Sequence, residues 1–275
     1  MYEGCRAFHA FFSYFCYMFL TDTHTHLYVE EFDADRESVV RNAVDQGIKR
    51  MLLPNIDRSS LKAMLTLSDA FPNNCFPMMG LHPTSVNSDY EQELERMEGE
   101  IPGQSFCGVG EIGIDLYWDQ TFKEQQIDAF RRQLRTAKKY QLGVSIHTRN
   151  AFDLTLNIVK EELTDELKGV FHCFTAGMTD ARKIMDTGFK MGIGGIVTFK
   201  NGGLSEILKE IPLEHLVLET DSPYLTPVPF RGKRNQSAYL RFIAQKIAEI
   251  KGISREAVAE VTNHSAEQIF SINEV

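Results

Sequence analysis

The sequence has little that would staple it, anchor it or draw it to a polyanion. Its five cysteines (Cys5, Cys16, Cys75, Cys107 and Cys173) are odd in number, scattered, and form no C-x-x-C pair. That spacing argues against a disulfide framework and a thiolate zinc site, and it fits a reducing, cytoplasmic location. Basic residues are the minority, 29 against 38 acidic ones, so the net charge is −9 and no basic footprint of a nucleic-acid binder is present. This balance does not veto a phosphate substrate, because bound divalent cations supply positive charge locally. A glycine-rich first turn of the dinucleotide-binding kind is missing, as are low-complexity tracts.

Long apolar runs are also scarce. The stretch from Phe8 to Leu20 is shorter than the ~20 residues a spanning helix needs, so no membrane association is expected. It lies in a foreign-looking segment, since the first twenty residues hold eight of the chain's 29 aromatics. With one basic residue, aromatic rather than Leu/Ala-rich character and no small-x-small site, it makes a poor signal peptide. We expect residues 1–17 to be an extension that is not part of the native barrel, with Met18 as the true start and 18–275 as one domain.

What is present is ordinary globular composition, 43% hydrophobic over 275 residues, enough for one barrel-sized core. From residue 18 onward, short apolar or β-branched runs alternate with stretches of helical spacing. The candidate strands are Phe19 to His26, Arg50 to Pro54, Phe76 to His82, Phe106 to Ile112, Gly143 to His147, Gly169 to Phe174, Phe189 to Ile193 and Leu216 to Thr220. Helices are expected over Asp35 to Gln46, Ser59 to Phe71, Lys123 to Tyr140, Phe152 to Leu163, Thr179 to Thr187 and Gly203 to Ile211, closed by Ala238 to Lys251 and Ser254 to Phe270. Eight β-α units predict a single-domain α/β fold, the (β/α)8 TIM barrel, rather than an open sheet.

Five of the eight histidines fall at strand ends, the active face of such a barrel. In TDTHTH a period of two puts Asp22, His24 and His26 on one face, ~6.5 to 7 Å apart. Glu111 ends strand 4, His147 strand 5, His172 strand 6, and Asp221 follows strand 8. Four histidines and two carboxylates suit two divalent cations with one carboxylate shared.

In this order the motifs are DTHTHL (22–27), GLHP (80–83), GEIGID (110–115) and YWD (117–119), then the run from Gln125 to Gln133 with QxxxFxxQ spacing. IHTRNA (146–151), FHCFTAG (171–177), ETDSPYLTP (219–227) and FRGKRN (230–235) follow. Through them the chain from residue 18 resembles the TatD-type deoxyribonuclease family of metal-dependent hydrolases. It departs from the family where Gln236 and Ser237 replace the acidic residue and proline that usually follow FRGKRN, and residues 1–17 have no family counterpart. The resemblance implies that His24, His26, Glu111 and Asp221 hold one metal, and that Glu111, His147 and His172 hold the other. Glu111 then bridges, where related amidohydrolases use a carboxylated lysine.

Two such ions, as Mg²⁺, Mn²⁺ or Zn²⁺, would support in-line phosphodiester hydrolysis of DNA, single-stranded or at 3′ ends. Asp221 and Glu111 are the catalytic candidates, with Asp221 accepting the proton of the attacking water. His82, Arg149 and Arg231 are candidate phosphate contacts, with Arg231 giving fork geometry. Tyr117 and Trp118 follow strand 4 and could stack an unpaired base, while Glu219 would orient ligands. The alternatives are a metal-dependent hydrolase of a C–N, ester or small phosphoester bond, and a metal-binding barrel without catalysis.

Overall fold

The structure is a computed structural model that describes residues 18–200 and 203–272; the expectation for residues 1–17 lies outside them. Eight parallel strands pair in chain order: β1 (Leu20–Asp22), β2 (Ile48–Pro54), β3 (Cys75–Met79), β4 (Gly108–Asp115), β5 (Gly143–Arg149), β6 (Gly169–Phe171), β7 (Lys190–Ile193) and β8 (Leu216–Leu218). Strands covered on both faces read as continuous apolar runs, as Met51, Leu52 and Leu53 do in β2. The ring closes between its first and last strands, where Thr23 N–H donates to the Leu218 carbonyl and Asp221 N–H to the His24 carbonyl, both at 2.9 Å. The expected TIM barrel is therefore the observed fold.

Helices α1 (Arg36–Asp45), α2 (Arg58–Ala70), α3 (Tyr90–Glu100), α4 (Lys123–Tyr140), α5 (Phe152–Glu162), α6 (Met178–Met185), α7 (Leu204–Glu210), α8 (Leu240–Lys251) and α9 (Arg255–Glu267) surround it. Local chemistry sets their ends. At α2, the Asp57 carboxylate accepts the Ser59 and Ser60 N–H groups while the Ser60 hydroxyl accepts the Asp57 N–H, so two otherwise unpaired donors are satisfied. The QxxxFxxQ spacing of α4 has a similar use. Gln126 accepts from Asp115 N–H, and Gln133 pairs with both backbone groups of Leu81, which fixes the rims of β4 and β3 to one helix.

Two expectations need correction. Helix α3 was not anticipated, because only Tyr90, Leu94 and Met97 of this acidic segment are buried. Four strands, β1, β3, β6 and β8, also stop short, so His24 and His26, His82 and His172 stand just past the first three rather than within them. The backbone beyond them remains hydrogen-bonded but curls over the rim: His26 N–H donates to Ser222, His82 N–H to Ile56 and His172 N–H to Ile146. Conversely, β4 and β5 run on to Asp115 and Arg149.

The lower barrel interior is apolar. Leu52, Met78, Val170 and Val217 meet Ile269, Phe270 and Ile272, which leave α9 and tuck beneath the strands. Ser271 N–H donates to Cys107 there, and a Cβ on Gly143 would lie 2.2 Å from the Ile269 carbonyl, so only glycine lets that segment pass.

Candidate metal centre

At the opposite end the same inward faces turn polar. The Glu111 carboxylate lies buried at the centre, its two oxygens facing different partners. Oε2 lies 3.2 Å from His24 Nε2 and 3.5 Å from His26 Nε2. Oε1 lies 2.8 Å from His172 Nε2, 2.9 Å from His147 Nδ1 and 3.4 Å from His82 Nε2. Asp221 Oδ1 completes the first group at 3.7 Å from His26 and 4.0 Å from His24. All six sequence-derived ligand candidates are brought together, and His82, expected as a phosphate contact, stands among them. Asp22 does not join them, because its carboxylate takes the N–H and hydroxyl of Thr220 across the barrel seam.

The donors fit divalent cations. His24 Nε2 and His26 Nε2 lie 3.2 Å apart, while their Nδ1 atoms are tied to the Ser145 hydroxyl and the Tyr28 hydroxyl at 3.0 Å. Imidazoles held from behind, with their free nitrogens converging on carboxylate oxygens, make a mixed nitrogen and oxygen set of the kind zinc or manganese takes. Among the described residues, buried His172 Nδ1 and Glu219 Oε2 have no hydrogen-bond partner. Glu219 lies 3.8 Å from His172 Nδ1, and a Cβ on Gly192 would fall 2.0 Å from its carboxylate, so that glycine makes room for it.

The electrostatics follow from burial opposed by clustering. Burial alone would raise Glu111, yet the imidazoles of His172, His82 and His24 hold its carboxyl well below the usual range. Burial also works against a charged His172, but Glu111, Glu219 and Asp221 outweigh it and push it up to about 10. Glu219, deeper and with less compensation, is raised by burial to about 8. Asp221 is raised by burial as well. Such opposed shifts mark a site in which a strong charge centre is at stake.

Cys173 and Asp221, which follow His172 and the end of β8, have φ of 50° and 54°, a left-handed conformation uncommon outside glycine. Each is held there by its N–H, on the Glu219 carboxylate and the His24 carbonyl respectively. Backbone of this sort concentrates at functional sites.

Above the cluster opens a cavity of about 740 Å³ lined by His26, His82, Asp115, Trp118, Arg149 and Tyr224 among others. Trp118 is 70% exposed and Tyr117 51%, and the Arg149 guanidinium carbon lies 3.7 Å from the centre of the Tyr117 ring and 5.2 Å from that of Trp118. Three of the expected substrate contacts, Arg149, Tyr117 and Trp118, thus gather on the rim, the two rings meeting edge to face. Arg231 does not join them: it is exposed, packs 4.0 Å above the Phe199 ring and does not line this cavity. Sequence reasoning missed Asp115, whose Oδ2 holds His147 Nε2 at 3.0 Å, although it follows Glu111 at the strand period. It also missed Tyr28, which no pattern singles out.

Comparison with known proteins agrees with this arrangement. The family model described as TatD related DNase matches residues 21–271. The uncharacterized metal-dependent hydrolase YabD of Bacillus subtilis is 36% identical over 92% of this chain and its own whole length. A protein named 3'-5' ssDNA/RNA exonuclease TatD, from Pectobacterium carotovorum, is 28% identical over 91% of this chain and 99% of its own. The crystal structure of YJJV, a TatD homolog from Escherichia coli, has the same fold, with a TM-score of 0.86 at 24% identity over 92% of this chain and 98% of that one. Eight strands, a histidine and carboxylate cluster at their carboxyl ends and a family match across nearly the whole described chain lead to one conclusion: this chain belongs to the TatD-related DNase family of metal-dependent hydrolases.

Proposed function

We propose that the chain is a two-cation phosphodiesterase that degrades DNA from unpaired ends. The observation that carries this reading is Glu111, whose two oxygens each face a separate set of imidazoles at the floor of an open cavity. His24, His26, Glu111 and Asp221 would hold one cation, and Glu111, His147 and His172 the other, with Mg²⁺, Mn²⁺ and Zn²⁺ all compatible with the donors. When bound, such ions lower the pKa of water and stabilise charge on phosphate oxygens. Asp221, raised by burial and facing the cavity, takes the proton of the attacking water. Arg149 meets the phosphate, and Tyr117 and Trp118 offer ring faces to an unpaired base, which suits a single strand or a frayed 3′ end better than a paired duplex. The name of the Pectobacterium relative supports the same substrate class.

A reducing, cytoplasmic setting accords with the free thiols of Cys75, Cys107 and Cys173. No helix among the described residues is long and apolar enough to cross a membrane. Digestion of end-labelled single- and double-stranded DNA with Mg²⁺, Mn²⁺ or a chelator tests reaction, substrate and cofactor together. Cation-dependent shortening of the single strand is expected. Hydrolysis of small esters without DNA cleavage would leave the smaller-substrate alternative standing in its place.

A further inference from the structure

His26 is held from behind by a group that has no choice of hydrogen-bond direction. The Tyr28 ring is buried, and its hydroxyl lies 2.5 Å from the Pro54 carbonyl oxygen and 3.0 Å from His26 Nδ1, with the Ser60 hydroxyl also beside it. A carbonyl oxygen only accepts, and a phenol has one proton. That proton therefore lies toward Pro54, and the Tyr28 oxygen faces His26 with a lone pair. His26 Nδ1 must then carry a hydrogen. In the neutral ring this leaves Nε2 bare, 3.2 Å from His24 Nε2 and within 3.7 Å of oxygens from both Glu111 and Asp221. An acceptor nitrogen turned toward two carboxylates is unfavourable without a cation between them and well suited to one. Ser145, behind His24, imposes no such direction, since a serine hydroxyl can turn to donate or accept.

We propose that Tyr28 is a positioning residue that fixes His26 in its Nδ1–H tautomer, so that Nε2 is presented to the metal centre before any ion arrives. The chain of command runs from the backbone of β2, through the Pro54 carbonyl and the phenol, to the imidazole. It rests on the metal-centre reading above, although the tautomer itself exists without metal. An outer partner of this kind is worth ~10- to 100-fold in metal affinity, because the alternative tautomer must be reversed before the nitrogen can ligate.

The test uses Tyr28→Phe in the full chain, which keeps the ring and removes the hydroxyl. Histidine ¹⁵N shifts of metal-free protein are read near pH ~8, above the ordinary imidazole range, and His26 is assigned by the resonance lost in His26→Gln. In the wild type His26 should show a protonated Nδ1 and a bare Nε2. Tyr28→Phe should shift it toward the Nε2–H form and weaken Mn²⁺ binding ~10- to 100-fold by calorimetry, with circular dichroism unchanged. A wild-type His26 protonated at Nε2 would overturn the proposal whether or not the variant folds. So would a variant that keeps the Nδ1–H form, or one whose tautomer moves while its Mn²⁺ affinity does not. Wild-type protein that binds no Mn²⁺ would overturn the metal-centre reading instead, and the metal-free spectrum separates that failure from a failure of Tyr28.

Discussion

The two ends of the barrel interior are built from the same strands and behave as opposites. On β6, Val170 belongs to the apolar cluster below, and His172, two residues on, meets Glu111. Val217 of β8 and Glu219, just past its end, repeat the step. One strand period, ~6.5 to 7 Å, therefore separates a dry plug from a charged centre. The lower level is closed by Ile269, Phe270 and Ile272, so burying polar groups above it does not open the barrel from beneath. Stability and chemistry are stacked along one axis, and substitutions should sort by level.

The largest expected effect is at the upper level. Glu111→Gln should cut DNA hydrolysis ~10²- to 10⁴-fold, or ~2.7 to 5.4 kcal/mol of barrier, with native circular dichroism, since a neutral amide is a poor bridge between cations. Unfolding in that variant would break the comparison by making the centre part of the scaffold. Phe270→Ala should do the reverse: about 3 kcal/mol lost in denaturant titration, with turnover per folded molecule retained. Trp118→Ala should lower kcat/KM on single-stranded DNA ~10-fold, in keeping with loss of one stacked base, and leave a small chromogenic phosphodiester almost untouched. Equal losses on both substrates would move Trp118 from the rim to the chemistry.

An ionic cluster outside both levels sharpens the scheme. Glu162, at the end of α5, is bound by Arg135 and Lys138 of α4, and the Arg135 hydrogen bonds take its carboxyl down to about 2. A carboxyl lowered on folding stabilises above its unfolded pKa and ceases to do so as pH falls toward the folded one. Glu162→Gln should thus cost about 1 kcal/mol near neutral pH, less than the full shift because solvent screens the cluster. That difference should fade between pH ~4.5 and about 2, with no change in activity. Smallest of all, removing residues 1–17 should alter neither melting temperature nor turnover.

Much of this was legible in the sequence because each candidate ligand is announced by its place at the end of an apolar run. His147 and His172 close such runs, and His24 and His26 follow one at the strand period. The strands' true lengths were less legible, since backbone that leaves the sheet can still find partners, as His26 N–H does on Ser222. The contact of Arg231 with Phe199 was illegible for a related reason, since it depends on how the loop after β8 folds against the one after β7. Tyr28 was invisible, because its role depends on which way one proton points, and that is settled only when Pro54 is folded against it.

The seam between β1 and β8 gives the site a place in the order of assembly. His24 and Asp221 are nearly two hundred residues apart, yet Asp221 N–H donates to the His24 carbonyl, and their side chains face one another across the same joint. The two come from the ends of a ring eight strands long, so the centre is complete only where that ring is closed. An ion that bound only this closed form would draw the folding equilibrium toward it, a clasp on the seam as well as a reagent above it.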